Sequence, residues 1–155
     1  MNRSKLKLVE SSVLIGLCAT NASDVIQTLG GTLIKAGYVL PDYVQDVLKR
    51  EEEYPTGLPT TIPVAIPHAS SGNCVSTALA IGILKKPVPF KEMGSPEKRL
   101  DVEMVFLLAI KNVQEQTVWL KNLMKIFKDK EFMRRLQGCD DSSGVMRLMT
   151  GALNV

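Results

Sequence analysis

The stretch TGLPTTIPVAIPHAS, residues 56–70, holds the one histidine of this chain, His68. An imidazole titrates near neutral pH, so it can move a proton or attack an electrophile through a ring nitrogen. Pro67 locks its own φ and restricts Ile66, which presents the ring on stiff backbone. The run VAI (64–66) reads as a short strand that Pro67 ends. His68 therefore lies where a strand gives way to a loop, the place where α/β folds collect their sites. The residues ASSGN (69–73) follow. Such a turn can aim N–H groups and serine hydroxyls, Ser70 among them, at an anion. It can equally be a plain loop before the next strand, and a lone histidine usually has a mundane role.

Other chemistries fare worse. A hydrolytic triad needs a nucleophile beside a positioned base, and Ser70 and Ser71 sit too close in sequence to His68 for that arrangement. No GxSxG elbow occurs. Cys74 stands at the edge of an apolar strand and reads as a buried thiol. One histidine without clustered Cys or carboxylates makes a poor metal site. Glycine-rich phosphate loops are absent, so no metal or nucleotide cofactor is expected. Direct attack by His68 itself is what remains. A phosphohistidine gains negative charge, and a nearby cation would stabilise it. Arg50 closes a helix just before the loop that leads to His68. Its alternative is a solvated helix-end charge within KREEE, favourable to the helix dipole in any case.

The elements that would position these residues follow from periodicity. SSVLIGLC (11–18) is rich in β-branched and apolar residues and predicts a strand. Residues 24–37 predict a helix with Val25, Leu29 and Leu33 on one stripe. Ser23 or Asn21 is its candidate cap and Gly37 its stop. Gly30-Gly31 inside it is either a weak spot or a place of close packing. Residues 40–54 predict a second helix from Pro41, with Val44, Val47 and Leu48 on its apolar face. Pro55, Gly57, Pro59 and Pro63 mark 55–63 as loop. STALAIGIL (76–84) and DVEMVFLLAI (101–110) are nearly continuous apolar strands, as expected where both faces of a sheet are covered. Between them KKPVPFKEMGSPEKR reads as a polar, proline-rich surface excursion. Residues 114–128 predict the strongest helix, with Leu120, Leu123, Met124 and Phe127 inward. Shorter helices follow at 130–138 and 143–153. Helices in order on both sides of the strands predict an α/β fold, a three-layer α/β/α sandwich around a mixed sheet.

Bulk properties agree with one domain over residues 1–155. Apolar residues make up 45% and charged residues 23%, a globular composition. The longest apolar runs are far too short to span a bilayer. The N-terminus, MNRSKLKLVESSVLIGLCA, has basic residues before an apolar stretch, but Glu10-Ser11-Ser12 interrupts it, which argues against a signal peptide. The net charge of +3 comes from interleaved signs, without the basic stripe and aromatics of a nucleic-acid binder. Cys18, Cys74 and Cys139 are widely spaced, with no CxxC pair, which fits a reducing cytoplasm.

Three segments together carry a family resemblance: REEEYPTGLP…VAIPH (50–68), ALAIGILKKPVPFKEMG (78–94) and DVEMVFLLAI (101–110). They resemble the enzyme IIA domain of the fructose/mannitol class in the bacterial phosphoenolpyruvate-dependent sugar phosphotransferase system. The YPTG and AIPH pair is most similar to the galactitol-type branch. The resemblance implies a phosphoryl carrier. Its histidine would take a phosphoryl group from the phosphocarrier HPr and pass it to a cysteine of a IIB partner, for sugar uptake through membrane-bound IIC. The same domain could instead act as a regulator phosphorylated at the same residue. Carried over residue by residue, His68 is the acceptor, through Nε2, and Arg50 is the cation near the phosphate. Two departures stand out. Many members have a glutamate between PTG and PH that orients the ring, where this chain has Thr60 and Thr61. A hydroxyl or a backbone carbonyl must then hold the imidazole. Mannitol-type members also have a second histidine near the start of the helix after FLLAI. Here Gln114 or Gln116 occupies that region, either as a phosphoryl hydrogen-bond donor or as an ordinary first-turn residue. A free-standing IIA is the expectation, since the chain ends soon after its last helix.

Overall fold

The two long apolar runs lie side by side at the centre of the molecule. A computed structural model describes residues 5–155. Residues 1–4, the start of the segment weighed as a signal peptide, lie outside the described residues. In chain order the elements are β1 (Val13–Leu17), α1 (Ala22–Lys35), α2 (Tyr43–Glu53), β2 (Gly57–Leu58), β3 (Val64–Ala65), β4 (His68–Ser70), β5 (Ala78–Glu92), β6 (Ser95–Ile110), α3 (Gln116–Phe127), α4 (Lys130–Gln137) and α5 (Ser142–Leu153).

β5 and β6 pair antiparallel, with Ala80 opposite Leu107 and Gly82 opposite Val105. β1 runs parallel to β5 on one side. β3 and then β4 run parallel to β6 on the other, which makes a mixed six-stranded sheet. Strand side chains alternate between faces. Val105, Leu107 and Ala109 therefore face one way, into a core shared with Val25, Leu29 and Leu33 of α1 and Tyr43, Val44 and Val47 of α2. Met104, Phe106, Leu108 and Ile110 face the other way, against Trp119, Leu123, Phe127, Met133 and Met149. Two covered faces explain why residues 78–84 of β5 and 104–110 of β6 are apolar at every position. The predicted three-layer α/β/α arrangement follows from the same alternation.

Several boundaries differ from expectation. The stretch 85–99 is not an excursion. β5 continues to Glu92, a turn follows with Gly94 at φ +78°, and β6 begins at Ser95. Val88 and Phe90 are buried while Lys85, Lys86, Pro87, Pro89 and Lys91 are exposed, so one edge of this hairpin still packs. Its prolines and lysines hide a period-two pattern. The loop 55–63 contains the two-residue β2, which pairs with β3 and touches β5 at Glu92. Pro41 lies in a turn before α2 rather than in its first helical position. A 3₁₀ turn over Val113–Glu115 precedes α3, which starts at Gln116. In α3, Trp119 joins Leu123 and Phe127 in the core, with Leu120 and Met124 half-buried.

The capping of α1 settles the choice left open by its sequence. Asn21 is the N-cap, its side-chain oxygen accepting from the Asp24 N–H at 2.9 Å. Gly37 takes φ +82° beyond the last turn, and the Tyr38 N–H donates back to the Leu33 carbonyl at 3.0 Å. The two glycines inside α1 have different reasons. A Cβ at Gly30 would lie 2.6 Å from Val44 Cγ2 of α2, whereas one at Gly31 would meet nothing within 4 Å. Val44 is stiff and buried, so Gly30 is where the two helices touch. Gly30→Ala should cost about 1–2 kcal/mol despite the gain in helix propensity, because overpacking outweighs it. Gly31→Ala should instead stabilise by about 0.5–1 kcal/mol. Thermal melts of the two variants in opposite directions check this; equal shifts would remove the close-approach explanation.

The loop after α2 is tied back to it by Glu51. Its two carboxyl oxygens accept from the Thr56 N–H at 2.9 Å and the Thr56 hydroxyl at 2.7 Å. Burial pushes the Glu51 pKa up to about 7 from 4.5, against the opposing pull of the two Thr56 bonds. The folded state therefore holds this proton more tightly than the unfolded chain. Glu51 should make stability fall as pH rises from about 4.5 to about 7, by an amount of order 3 kcal/mol at most. Denaturant melts across that range should show the slope in the wild type and its loss in Glu51→Gln. A slope retained in the glutamine variant would assign it to another group.

Candidate functional site

His68 begins β4, an edge strand, and does not close β3. Pro67 has no N–H and interrupts the ladder between them. Its carbonyl still accepts from the Leu108 N–H at 3.0 Å, and His68 registers opposite Leu108. The chain therefore pauses at Ile66-Pro67 and resumes with His68 locked to the central strand β6.

The imidazole is 4% exposed and both its nitrogens are engaged. Nδ1 lies 2.8 Å from the Ile66 carbonyl oxygen, which can only accept, so Nδ1 carries the hydrogen. On the other side the Arg50 Nε–H donates to Nε2 at 3.2 Å. A guanidinium can only donate, so Nε2 presents a lone pair. The two partners dictate a neutral ring with its nucleophilic nitrogen toward Arg50. Electrostatics agree with that state. Burial pulls the His68 pKa below the usual histidine value, the Arg50 charge adds to this, and the Ile66 carbonyl opposes it.

Arg50 comes from the last turn of α2, and its guanidinium also lies over the Tyr54 ring, 5.4 Å from the centroid. Tyr54 is 61% exposed, so this ring forms part of the outer surface beside the site. Around Arg50 is an open depression lined by Asp46, Lys49, Glu53, Tyr54, Ser70 and Ser71. The turn after β4 is tied to α2 by Asp46, whose Oδ2 accepts from Ser71 Oγ at 2.7 Å and Asn73 Nδ2 at 2.8 Å.

The structure thus brings His68, Arg50 and Ser70 to one place. Of the two ways left open for holding the ring, it uses a backbone carbonyl, that of Ile66. The Thr60 hydroxyl donates instead to the Ile62 carbonyl at 2.7 Å, within its own loop, and Thr61 is exposed. Gln114 lies exposed in the 3₁₀ turn and Gln116 is the half-buried first residue of α3. Neither is a partner of the ring nitrogens. Cys74 is a buried thiol, as its apolar setting suggested, and burial pushes its pKa up. Sequence reasoning passed over Tyr54 and Asp46. Both lie four residues from Arg50, the spacing of one helix face, which is the signal that could have found them.

Among the described residues no group of three or more His, Cys, Asp or Glu is placed to hold a metal ion, and no helix is long and apolar enough to cross a membrane.

Residues 7–151 match the family model described as "Phosphoenolpyruvate-dependent sugar phosphotransferase system, EIIA 2". The mannitol-specific EIICBA component of Escherichia coli K12 is 28% identical over 145 residues, 94% of this chain. The chain spans 22% of that relative's length. The galactitol-specific EIIA component of the same strain is 25% identical over 122 residues, covering 78% of this chain and 81% of the relative. The crystal structure of IIA mannitol from Escherichia coli superposes with a TM-score of 0.77 at 26% identity, covering 92% of this chain and 99% of the other. A match over nearly the whole chain, with an α/β fold to correspond, shows that this chain belongs to the type 2 EIIA family of the sugar phosphotransferase system, whose members are phosphotransferase components.

Proposed function

We propose that this chain is a phosphoryl carrier in which His68 Nε2 accepts a phosphoryl group from phospho-HPr and passes it to a cysteine of a IIB partner. The observation that carries the reading is the neutral ring held between Ile66 and Arg50, with a lone pair on Nε2. Phosphoryl transfer through a loose transition state asks for in-line positioning and charge stabilisation. The Nε2 lone pair forms the new P–N bond while the donor nitrogen leaves with its bonding pair. That lone pair is the one Arg50 now caps, so the guanidinium has to turn from the nitrogen to the incoming phosphoryl oxygens. Ser70, in the depression beside it, is a candidate donor to the same oxygens, and Gln114 and Gln116, in the segment after β6, are further candidates. The whole of residues 1–155 would act as one EIIA domain in the cytoplasm, without cofactor, working with a membrane-bound IIC.

The sugar class is a galactitol-like polyol. YPTG and AIPH favour that branch, and both mannitol- and galactitol-specific relatives stand behind the polyol assignment. A regulatory role for the same phosphohistidine is a second reading, favoured by one observation. The transcriptional regulator ManR of Bacillus subtilis is 35% identical over 94 residues, 61% of this chain.

Incubation with phosphoenolpyruvate, enzyme I and HPr should add one acid-labile phosphoryl group by intact mass, and His68→Ala should abolish it. An undiminished adduct on that variant would sink the carrier reading. Arg50→Ala should fold normally yet slow transfer by about a hundredfold, the worth of one or two charge-assisted hydrogen bonds in the transition state. Single-turnover kinetics with phospho-HPr would measure it, and an unchanged rate would remove Arg50 from the site.

A further inference from the structure

Asp46 and Arg50 stand four residues apart on α2, a spacing at which a carboxylate and a guanidinium ordinarily pair. Both line the depression beside His68. Arg50 nonetheless gives its Nε–H to the imidazole, a neutral acceptor. Asp46 meanwhile has partners in the turn after β4. Asp46 Oδ2 is taken by Ser71 Oγ at 2.7 Å and by Asn73 Nδ2 at 2.8 Å. The donors are themselves held. Ser71 Oγ accepts from the Asn73 N–H at 3.2 Å, and the Ser71 carbonyl accepts from the Cys74 N–H at 3.1 Å. Stripped of these donors, the carboxylate would be a stronger acceptor for the guanidinium than a neutral ring nitrogen is. The anchoring of α2 does not need this cluster. Tyr43 Oη, fully buried, donates to the Leu108 carbonyl at 2.9 Å, and Val44 and Val47 pack in the core.

We propose that Ser71 and Asn73 are positioning residues that occupy Asp46 and so leave the Arg50 guanidinium to His68 and to the phosphoryl group it would carry. This rests on the phosphoryl-carrier reading for its consequence, but the choice of partner by Arg50 can be tested without it. The comparison is between wild type, the double variant Ser71→Ala/Asn73→Ala, and the same double variant with Asp46→Asn. One readout is acylation of His68 by diethyl pyrocarbonate, followed by peptide mapping, which reports uncapping of Nε2. The other is the rate of transfer from phospho-HPr. In the double variant acylation should rise about tenfold and transfer fall about tenfold, the worth of one charge-assisted hydrogen bond. Adding Asp46→Asn should bring both back to within about threefold of wild type, because an amide competes weakly for the guanidinium. A cluster that merely braced the turn would show no such rescue. Wild-type rates in the double variant, or no recovery in the triple, overturn the proposal. Should the double variant fail to fold, Asn73→Ala with and without Asp46→Asn makes the same comparison. A wild type that accepts no phosphoryl group would end the carrier reading, while the acylation arm still decides the partner of Arg50.

Discussion

A neutral imidazole held between an acceptor and a cationic donor is the constraint on which this structure depends. The Ile66 carbonyl takes the hydrogen of Nδ1, and Arg50 faces the lone pair of Nε2. Neither partner tolerates the opposite tautomer. Holding the ring this way requires two elements distant in sequence, the end of α2 and the start of β4, to sit in fixed relation. The fold supplies that relation from below. Parallel pairing with β6 sets the height of His68, and the Tyr43 hydroxyl ties α2 to the same level of β6. The close approach of α1 and α2 at Gly30 seats α2 in the core.

Burial works in one direction on the site's ionisable groups. It keeps His68 uncharged, which suits a nucleophile, and it raises Glu51, the residue next to Arg50, toward neutral pH. Glu51 is occupied by Thr56, and Asp46 by Ser71 and Asn73. Two of the carboxylates that flank Arg50 along α2, Asp46 through Oδ2 and Glu51 through both oxygens, are thus tied to loops. A cation so placed can be given to a ring nitrogen or to an incoming anion. In a helix with free acids at the same positions it would be neutralised locally.

Much of the architecture was legible because both sheet faces are covered. Continuous apolar runs such as VFLLAI fit such strands, and the helical stripes at Val25, Leu29 and Leu33 and at Leu123 and Phe127 match the two cores. The hairpin beyond residue 84 was not legible, because prolines and lysines on its exposed side mask the alternation of Val88 and Phe90. Loop signals likewise hid the two-residue β2, which exists only through its pairing with β3 and β5. A strand that short has no local pattern to read.

At the site, the division follows the range of the interactions. The sequence by itself determined which residue could do the chemistry: one histidine, stiffened by Pro67, with an arginine upstream and no rival nucleophile, metal cluster or phosphate loop. It also determined the family, through the arginine, PTG and PH at their spacing. Only the tertiary structure decided what holds the ring, since a main-chain carbonyl has no residue type to recognise, and Thr60 was the visible substitute. It also decided that Asp46 turns to Ser71 and Asn73, 25 and 27 residues away, instead of to Arg50 one helical turn along. Local spacing offers only the pairing with Arg50, and the other exists because the turn after β4 folds against α2.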